Sequence, residues 1–282
     1  MKKHLKYIIA FLILEIVVVS VAVWKTQASL ATPTTTDSSV QQKSSASESK
    51  KEETTLAEST QSSKVEESSE KEPPKEVEAV NENSIALTFD DGPKRETTSQ
   101  LLDILAQRNI KASFFILGQN ISGNEDLLKR MKDEGHVIGS HSMYHYNLSQ
   151  MDMTALKKDF NDMDDKIKTV FKEPFHYIRP PYGAANKQVA EVAKRPLVQW
   201  SVDSKDWSSK NTQSIINQVT QNTTPGAIIL MHDIYAETIN AVPAIIDNLT
   251  QQGYNFVTVD ALLNQPTENL NYYSMNDNRP AN

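Results

Sequence analysis

From Ser84 onward, short apolar runs alternate with longer stretches whose apolar residues recur every three or four positions. The runs SIALTF, KASFFIL, HVIGS, FHYIRP, LVQWSVD, GAIILMH and NFVTV read as strands. Each is short, apolar and bounded by turn residues, the pattern of a strand covered on both faces. Between them, ETTSQLLDILAQRN, NEDLLKRMKDEG, DMTALKKDFNDMDDKIKTVF, NKQVAEVAKR, TQSIINQVTQN and ETINAVPAIIDNLTQQG read as amphipathic helices. Seven strands alternating with helices predict parallel pairing with helices outside. About 180 residues is short for eight strand–helix units. The expected fold is therefore α/β, a distorted TIM-like (β/α)7 barrel, in preference to an open doubly wound sheet. The polar stretch 264–282 is expected to be a loose tail.

Ahead of this domain the pattern changes twice. Lys2, Lys3 and Lys6 precede an apolar run from Tyr7 to Trp24. The run is long for a signal-peptide core and just long enough to span a bilayer. Glu15 inside it costs roughly 2–3 kcal/mol, which its many Ile, Leu and Val residues outweigh. Residues 1–25 are thus expected to be a transmembrane signal anchor, with the N-terminus inside the cell and the rest outside. Ser29 and Ala31 leave cleavage open, which would make the protein secreted. Residues 26–83 are rich in Ser, Thr, Glu and Lys, with no aromatic residue between Trp24 and Phe89. Such a segment cannot bury enough apolar surface to offset its ordering entropy. It is expected to be a disordered tether spanning about 40 Å as a coil. The domain proper is expected over 84–263.

Composition then narrows the chemistry. The chain has 282 residues, a formal net charge of -7 and no cysteine. Without cysteine there is no disulfide framework, thiolate metal site or thiol catalysis. The acidic balance without a basic patch argues against nucleic acid as a partner. Neither a phosphate-binding Gly loop nor a G-x-S-x-G elbow is present, so neither a nucleotide cofactor nor a serine hydrolase is expected. An exported chain of this kind fits a Gram-positive surface protein.

In parallel α/β folds, sites form at the carboxyl ends of strands. The first strand ends in LTFDDGP, with Asp90 and Asp91 side by side. Turn chemistry needs only one of them. Two adjacent carboxylates repel unless a cation or shared proton relieves them. The third strand ends in SHSMYH, placing His141 and His145 four apart, where one turn or tight loop aims both at one point. Two His and one Asp with open positions suit Zn²⁺ with bound water, or a non-haem iron oxygenase. The second aspartate is then free to act as a base. At the other strand ends stand Arg179 and Tyr182 in RPPYG, Asp203, Asp206 and Trp207 in DSKDW, and His232 in LMH. Arg179 suits a counter-ion that keeps the base ionised, or an ordinary salt bridge. His232 suits a general acid with Asp206 holding its tautomer, or a satisfied core histidine and a loop carboxylate. Tyr182 and Trp207 suit the walls of a sugar-sized groove, or core packing. His4, His136 and His176 lack such company and read as structural or solvated.

Taken together, TFDDGP, HSMYH, RPPYG, DSKDW and LMH stand in order over Ser84–Leu263. They resemble the polysaccharide deacetylase family, carbohydrate esterase family four. The anchor, stem and C-terminal domain further resemble Gram-positive peptidoglycan N-acetylglucosamine deacetylases. That resemblance implies Asp90 as catalytic base, oriented by Arg179. It implies Asp91, His141 and His145 as ligands to a divalent metal, usually Zn²⁺, with Co²⁺, Mn²⁺ or Ni²⁺ also accepted. His232 would be the acid, tuned by Asp206. The Tyr182 backbone N–H would stabilise an oxyanion, and Leu230 and Trp207 would line an acetyl pocket. The implied partner is a cell-wall glycan, acted on by a monomeric catalytic domain that releases acetate. Tyr146 follows the second histidine where many members carry Pro, a departure that touches loop shape. Other polymers (acetylxylan, chitin-like oligomers, exopolysaccharide) and a non-catalytic glycan-binding role are the competing readings.

Overall fold

The computed structural model describes residues 79–282. The expected anchor and nearly all of the expected tether lie outside the described residues. Among the described residues, no helix is long and apolar enough to cross a membrane.

A parallel sheet organises the domain. Its strands are β1 (Ser84–Asp90), β2 (Ser113–Ile116), β3 (Val137–Ser140), β5 (Val202–Asp203) and β6 (Ile228–His232), in the order β3-β2-β1-β6-β5. The strand β7 (Asn255–Phe256) pairs with the start of β1. All seven residues of β1 and all five of β6 are buried, polar Ser84, Thr88, Asp90 and His232 included, as in strands covered on both faces. The expectation of an α/β fold with parallel pairing is met.

Three expected strands are not whole strands: NFVTV keeps only Asn255–Phe256 as β7, and its Val259 opens a short helix. The FHYIRP run contributes only Ile178, which bridges Ser140 on one side and Leu197 on the other. The LVQWSVD run splits into β4 (Leu197–Val198), beside Ile178, and β5, beside β6. The path β5-β6-β1-β2-β3-Ile178-β4 therefore starts and finishes within one short stretch of chain. Four residue steps from Val198 to Val202 reach at most about 15 Å, so the path must close on itself. Its closing seam is covalent and lacks a ladder of its own.

The C-terminal stretch corrects the expectation of a loose tail. Strands β8 (Asn271–Ser274) and β9 (Asp277–Arg279) form an antiparallel pair, and β8 runs parallel to β4. Ser274 also bridges Ala227 beside β6. Asn and Ser are poor strand formers, so local pattern does not announce this hairpin. Pairing does: Tyr272 and Asn271 are buried, and Gln199 Nε2 donates to Asn271 Oδ1 at 2.8 Å.

Alternation along β1 divides the core in two. Ile85, Leu87 and Phe89 pack outward with Leu101, Leu102 and Leu105 of α1 (Arg95–Gln107) and Val242 and Ile245 of α7 (Ala236–Gln251). Ala86 faces inward with Phe115, Tyr177, Val198 and Ile228. Each fully buried Leu, Ile or Phe contributes about 1.5–3 kcal/mol. The inward column continues through Thr88 to Asp90, which a one-residue slip would turn toward the helices. Further helices are α2 (Glu125–Asp133), α3 (Met153–Lys168), α4 (Lys187–Ala193), α5 (Asp206–Ser209), α6 (Thr212–Asn222) and α8 (Val259–Leu262). Asp152, Asn186 and Asn211 cap α3, α4 and α6 by accepting from first-turn backbone N–H groups.

Candidate metal centre

Two strand ends bring Asp91, His141 and His145 together. Asp90 is the last residue of β1, and Asp91 leaves the strand at φ 73°. His141 follows β3, its N–H donating to Ile116 O at 2.9 Å. Ser142 at φ 69° and His145 at φ 61° then fold the loop back, and His145 N–H donates to Ser142 Oγ at 2.9 Å. Left-handed backbone at non-glycine residues is uncommon and concentrates at functional sites. One ligand-capable atom from each of Asp91, His141 and His145 lies within 4.8 Å of the other two.

The donor chemistry calls for a cation. His141 Nδ1 sits 2.7 Å from Arg179 O. A carbonyl oxygen only accepts, so Nδ1 carries the proton and Nε2 presents a bare lone pair. Burial holds this imidazole down to about 3, so it is neutral at ordinary pH, although Asp91 pulls the other way. That lone pair faces Asp91 Oδ1 at 3.6 Å, and His145 Nε2 lies 3.4 Å from the same oxygen. Asp91 Oδ1 is buried and has no hydrogen-bond partner. A buried oxygen with no donor, facing two imidazole nitrogens, fits a divalent metal with open coordination positions.

The two aspartates are not equivalent. Asp90 Oδ2 is 3.6 Å from His141 Nε2, while its Oδ1 accepts from Arg179 Nη1 at 2.8 Å. Arg179 is fully buried. It also donates from Nη1 to Thr88 Oγ1, from Nε to Val198 O and from Nη2 to Gln199 O. Its guanidinium lies over the Phe115 ring at 4.1 Å. Burial raises the Asp90 carboxyl above its ordinary value, with Arg179 opposing the rise. Asp91 thus has the ligand geometry, and Asp90 is a buried carboxylate clamped by one cation.

Opposite them, His232 ends β6 directly beside Asp90 in the ladder. Its Nε2 is 4.0 Å from Asp91 Oδ2, and its Nδ1 is 2.8 Å from Asp206 Oδ1. Burial alone would lower this imidazole, but Asp206 outweighs it and raises it to about 9. Burial likewise works against an ionised Asp206. The His232 ring, Thr238 Oγ1 and the His232 N–H together hold it below its usual range. In the metal-free chain the pair thus keeps the imidazole protonated at neutral pH, with Asp90 and Asp91 adding to the effect.

Of the remaining expected residues, Tyr182 and Trp207 lie at the rim. Tyr182 is 68% and Trp207 50% exposed, so core packing is excluded for both. Tyr182 OH meets His145 Nδ1 at 3.1 Å, and Trp207 N–H donates to Asp206 Oδ1. Leu230 is buried within β6, two residues before His232. An open depression of about 630 Å³ borders Asp91 and His145, with Lys94, Asn120 and Tyr235 among its walls. Tyr182, Trp207 and Leu230 do not line it. His136 is buried and accepts from Ala112 N–H, and His176 bonds Pro266 O, so both have structural partners. His4 lies outside the described residues.

Sequence reasoning missed Asp233, although it directly follows His232. It is fully buried, burial raises it to about 7, and its Oδ1 has no partner. Thr98 Oγ1 donates to its other oxygen and accepts from Lys94 N–H. The carboxylate packs against Gly92 so closely that any Cβ there would overlap it. Gly92→Ala is therefore expected to cost about 1–3 kcal/mol of stability by overpacking. A lowered urea midpoint at unchanged slope is the reading that checks it.

This geometry accompanies clear likenesses to known proteins. Residues 78–199 match the family described as polysaccharide deacetylase. The chain is 40% identical over 210 residues to the peptidoglycan-N-acetylglucosamine deacetylase PgdA of Listeria monocytogenes, covering 73% of this chain but 44% of that protein. It thus spans less than half the length of that relative. It is 39% identical over 191 residues to a peptidoglycan-N-acetylglucosamine deacetylase of Bacillus cereus, covering 65% of this chain and 89% of that one. Among solved structures, it is similar to a family 4 acetyl xylan esterase from Clostridium thermocellum in complex with a cobalt ion. The TM-score is 0.65 at 29% identity, over 69% of this chain and 100% of that one.

Proposed function

This chain belongs to the polysaccharide deacetylase family, and on that premise we propose that it hydrolyses the N-acetyl groups of N-acetylglucosamine units in peptidoglycan. The observation that carries this reading is the convergence of three distinct functions on one strand-end rim. A ligand trio with an orphaned oxygen, a clamped carboxylate base and a protonated imidazole all meet there. A binding module has no use for the last two. The names of the relatives at 40% and 39% identity support the choice of substrate.

Asp91, His141 and His145 would hold the metal, which we take to be zinc, with cobalt, manganese or nickel as substitutes. When bound, such an ion supplies Lewis-acid polarisation of the acyl oxygen and an acidified water. The chain's own residues do the rest. Asp90 Oδ2 takes a proton from the attacking water while Arg179 keeps the carboxylate ionised and aimed. The Tyr182 backbone N–H steadies the developing oxyanion. His232 Nε2 delivers its proton to the departing amine, which leaves poorly as an anion. Asp206 holds the Nδ1–H and stabilises the charged ring. The C–N bond breaks, a C–O bond forms, and acetate and a glucosamine unit result. Trp207 and Leu230 would flank the acetyl group. The closed strand path supports reading the fold as the distorted seven-unit barrel. The apolar run 7–24 and polar stretch 26–83 support placing the domain outside the cell on a membrane tether.

The test is acetate release from insoluble peptidoglycan by the full chain. Release is expected to vanish with chelator, return with added Zn²⁺, and be absent from acetylxylan. No release by the metal-loaded chain would refute the reading. Preferential release from acetylxylan would favour the esterase reading, to which the likeness to the xylan esterase structure points.

A further inference from the structure

We propose that the phenol of Tyr182 is a positioning residue that fixes the ring and tautomer of the metal ligand His145. The inference rests on the metal assignment above. Both ligand histidines are steadied at their remote nitrogen from one short segment. Arg179 supplies its carbonyl to His141 Nδ1 at 2.7 Å, and Tyr182 supplies its hydroxyl to His145 Nδ1 at 3.1 Å. The Tyr182 ring meets the His145 ring edge-on, with centroids 4.7 Å apart and planes at 74°.

The backbone holds the phenol there. Pro180 and Pro181 lead into a tight turn in which Tyr182 adopts φ 62° and Gly183 φ 65°. Gly183 packs so closely that a Cβ would stand 3.1 Å from both Gln199 Oε1 and the Trp200 ring. The loop is thus pinned to the sheet, and Tyr182 projects outward from it.

Chemistry sets the direction of the bond. His145 Nε2 faces Asp91 Oδ1, and to ligate a cation it must be unprotonated. The proton then belongs on Nδ1, and Tyr182 accepts it. Without the hydroxyl, the metal-free ring can place its proton on Nε2 and donate to Asp91 instead. Metal would then have to displace that arrangement. Partners that orient a ligating imidazole typically change metal affinity about 10–100-fold.

Tyr182→Phe keeps the ring and the left-handed backbone and removes only the hydroxyl that partners His145 Nδ1. Zn²⁺ affinity of the full chain, measured by competition with a chromophoric chelator and without any sugar, is expected to fall about tenfold. Long-range ¹H–¹⁵N spectra of the metal-free chain should show the His145 proton on Nδ1 in the parent and on Nε2 in the variant. Tyr182→Leu, which also removes the ring, should bind zinc no better than Tyr182→Phe. An affinity for Tyr182→Phe within about twofold of the parent, well short of that range, or an unchanged tautomer, overturns the inference. The readout needs no substrate, so failure to deacetylate peptidoglycan would count against the proposed activity and leave this result standing.

Discussion

Asp90→Asn is expected to lower acetate release about 10³-fold while zinc binding persists at one ion per chain. The magnitude is that of a general base removed from a site whose other parts remain. The geometry explains the separation of effects. Asp90 Oδ1 is engaged by Arg179, whereas both ligand histidines converge on Asp91 Oδ1. Asparagine fits the same space and still offers an oxygen to Arg179, but it cannot take a proton from water. It also leaves a buried guanidinium without its counter-charge, which costs up to about 3–5 kcal/mol. Denaturation must therefore accompany the rate measurement, to show that the variant is folded. Loss of zinc with loss of rate would assign Asp90 to the metal. A rate near the parent's would remove it from the mechanism.

Asp206→Asn is expected to cost about 10²–10⁴-fold and to move the alkaline limb of the pH–rate profile to lower pH. In the metal-free chain His232 is held at about 9 chiefly because Asp206 outweighs the effect of burial. With a neutral partner the main opposing influence is gone: Asp90 and Asp91 still pull upward, but burial lowers an imidazole and is the largest influence left. The acid would then be deprotonated at pH values where the parent still works. The sign for stability follows. The raised imidazole stabilises the fold fully below its unfolded value of 6.5, and that contribution is lost as pH rises through about 9. In Asp206→Asn this dependence should shrink in urea midpoints measured across the interval, because only Asp90 and Asp91 remain to raise the imidazole. A limb that stays in place would show that another group supplies the proton.

Much of this is legible in the sequence alone. The strands that carry the site are long apolar runs, and their ends are marked by residues that a buried strand would not tolerate. Asp90, Asp91 and His232 are all of this kind. Spacing alone left open the division of labour between adjacent aspartates, which only the family resemblance assigned, because spacing is blind to which oxygen an arginine occupies. What it missed were partners recruited from afar. Thr88, one step inside β1, bonds Arg179 across the interior. Thr238 bonds Asp206 from the first turn of α7. Asp233 serves a turn more than a hundred residues earlier. None of these lies in a pattern of its own. FHYIRP and LVQWSVD were overread for a related reason: apolar runs report burial, and burial in a closed interior does not require a ladder.

The hairpin of β8 and β9 gives the last residues of the chain an unexpected reach. Gln199 gives its carbonyl to Arg179 Nη2 and its amide to Asn271 Oδ1, so two hydrogen bonds join the C-terminal strand to the arginine that aims Asp90. The hairpin therefore acts as a keystone, set where the arch of strands has no mortar of its own. Trimming the chain after Leu263 would remove no motif residue, yet it is expected to loosen the carboxylate of Asp90 from the far side of the wall.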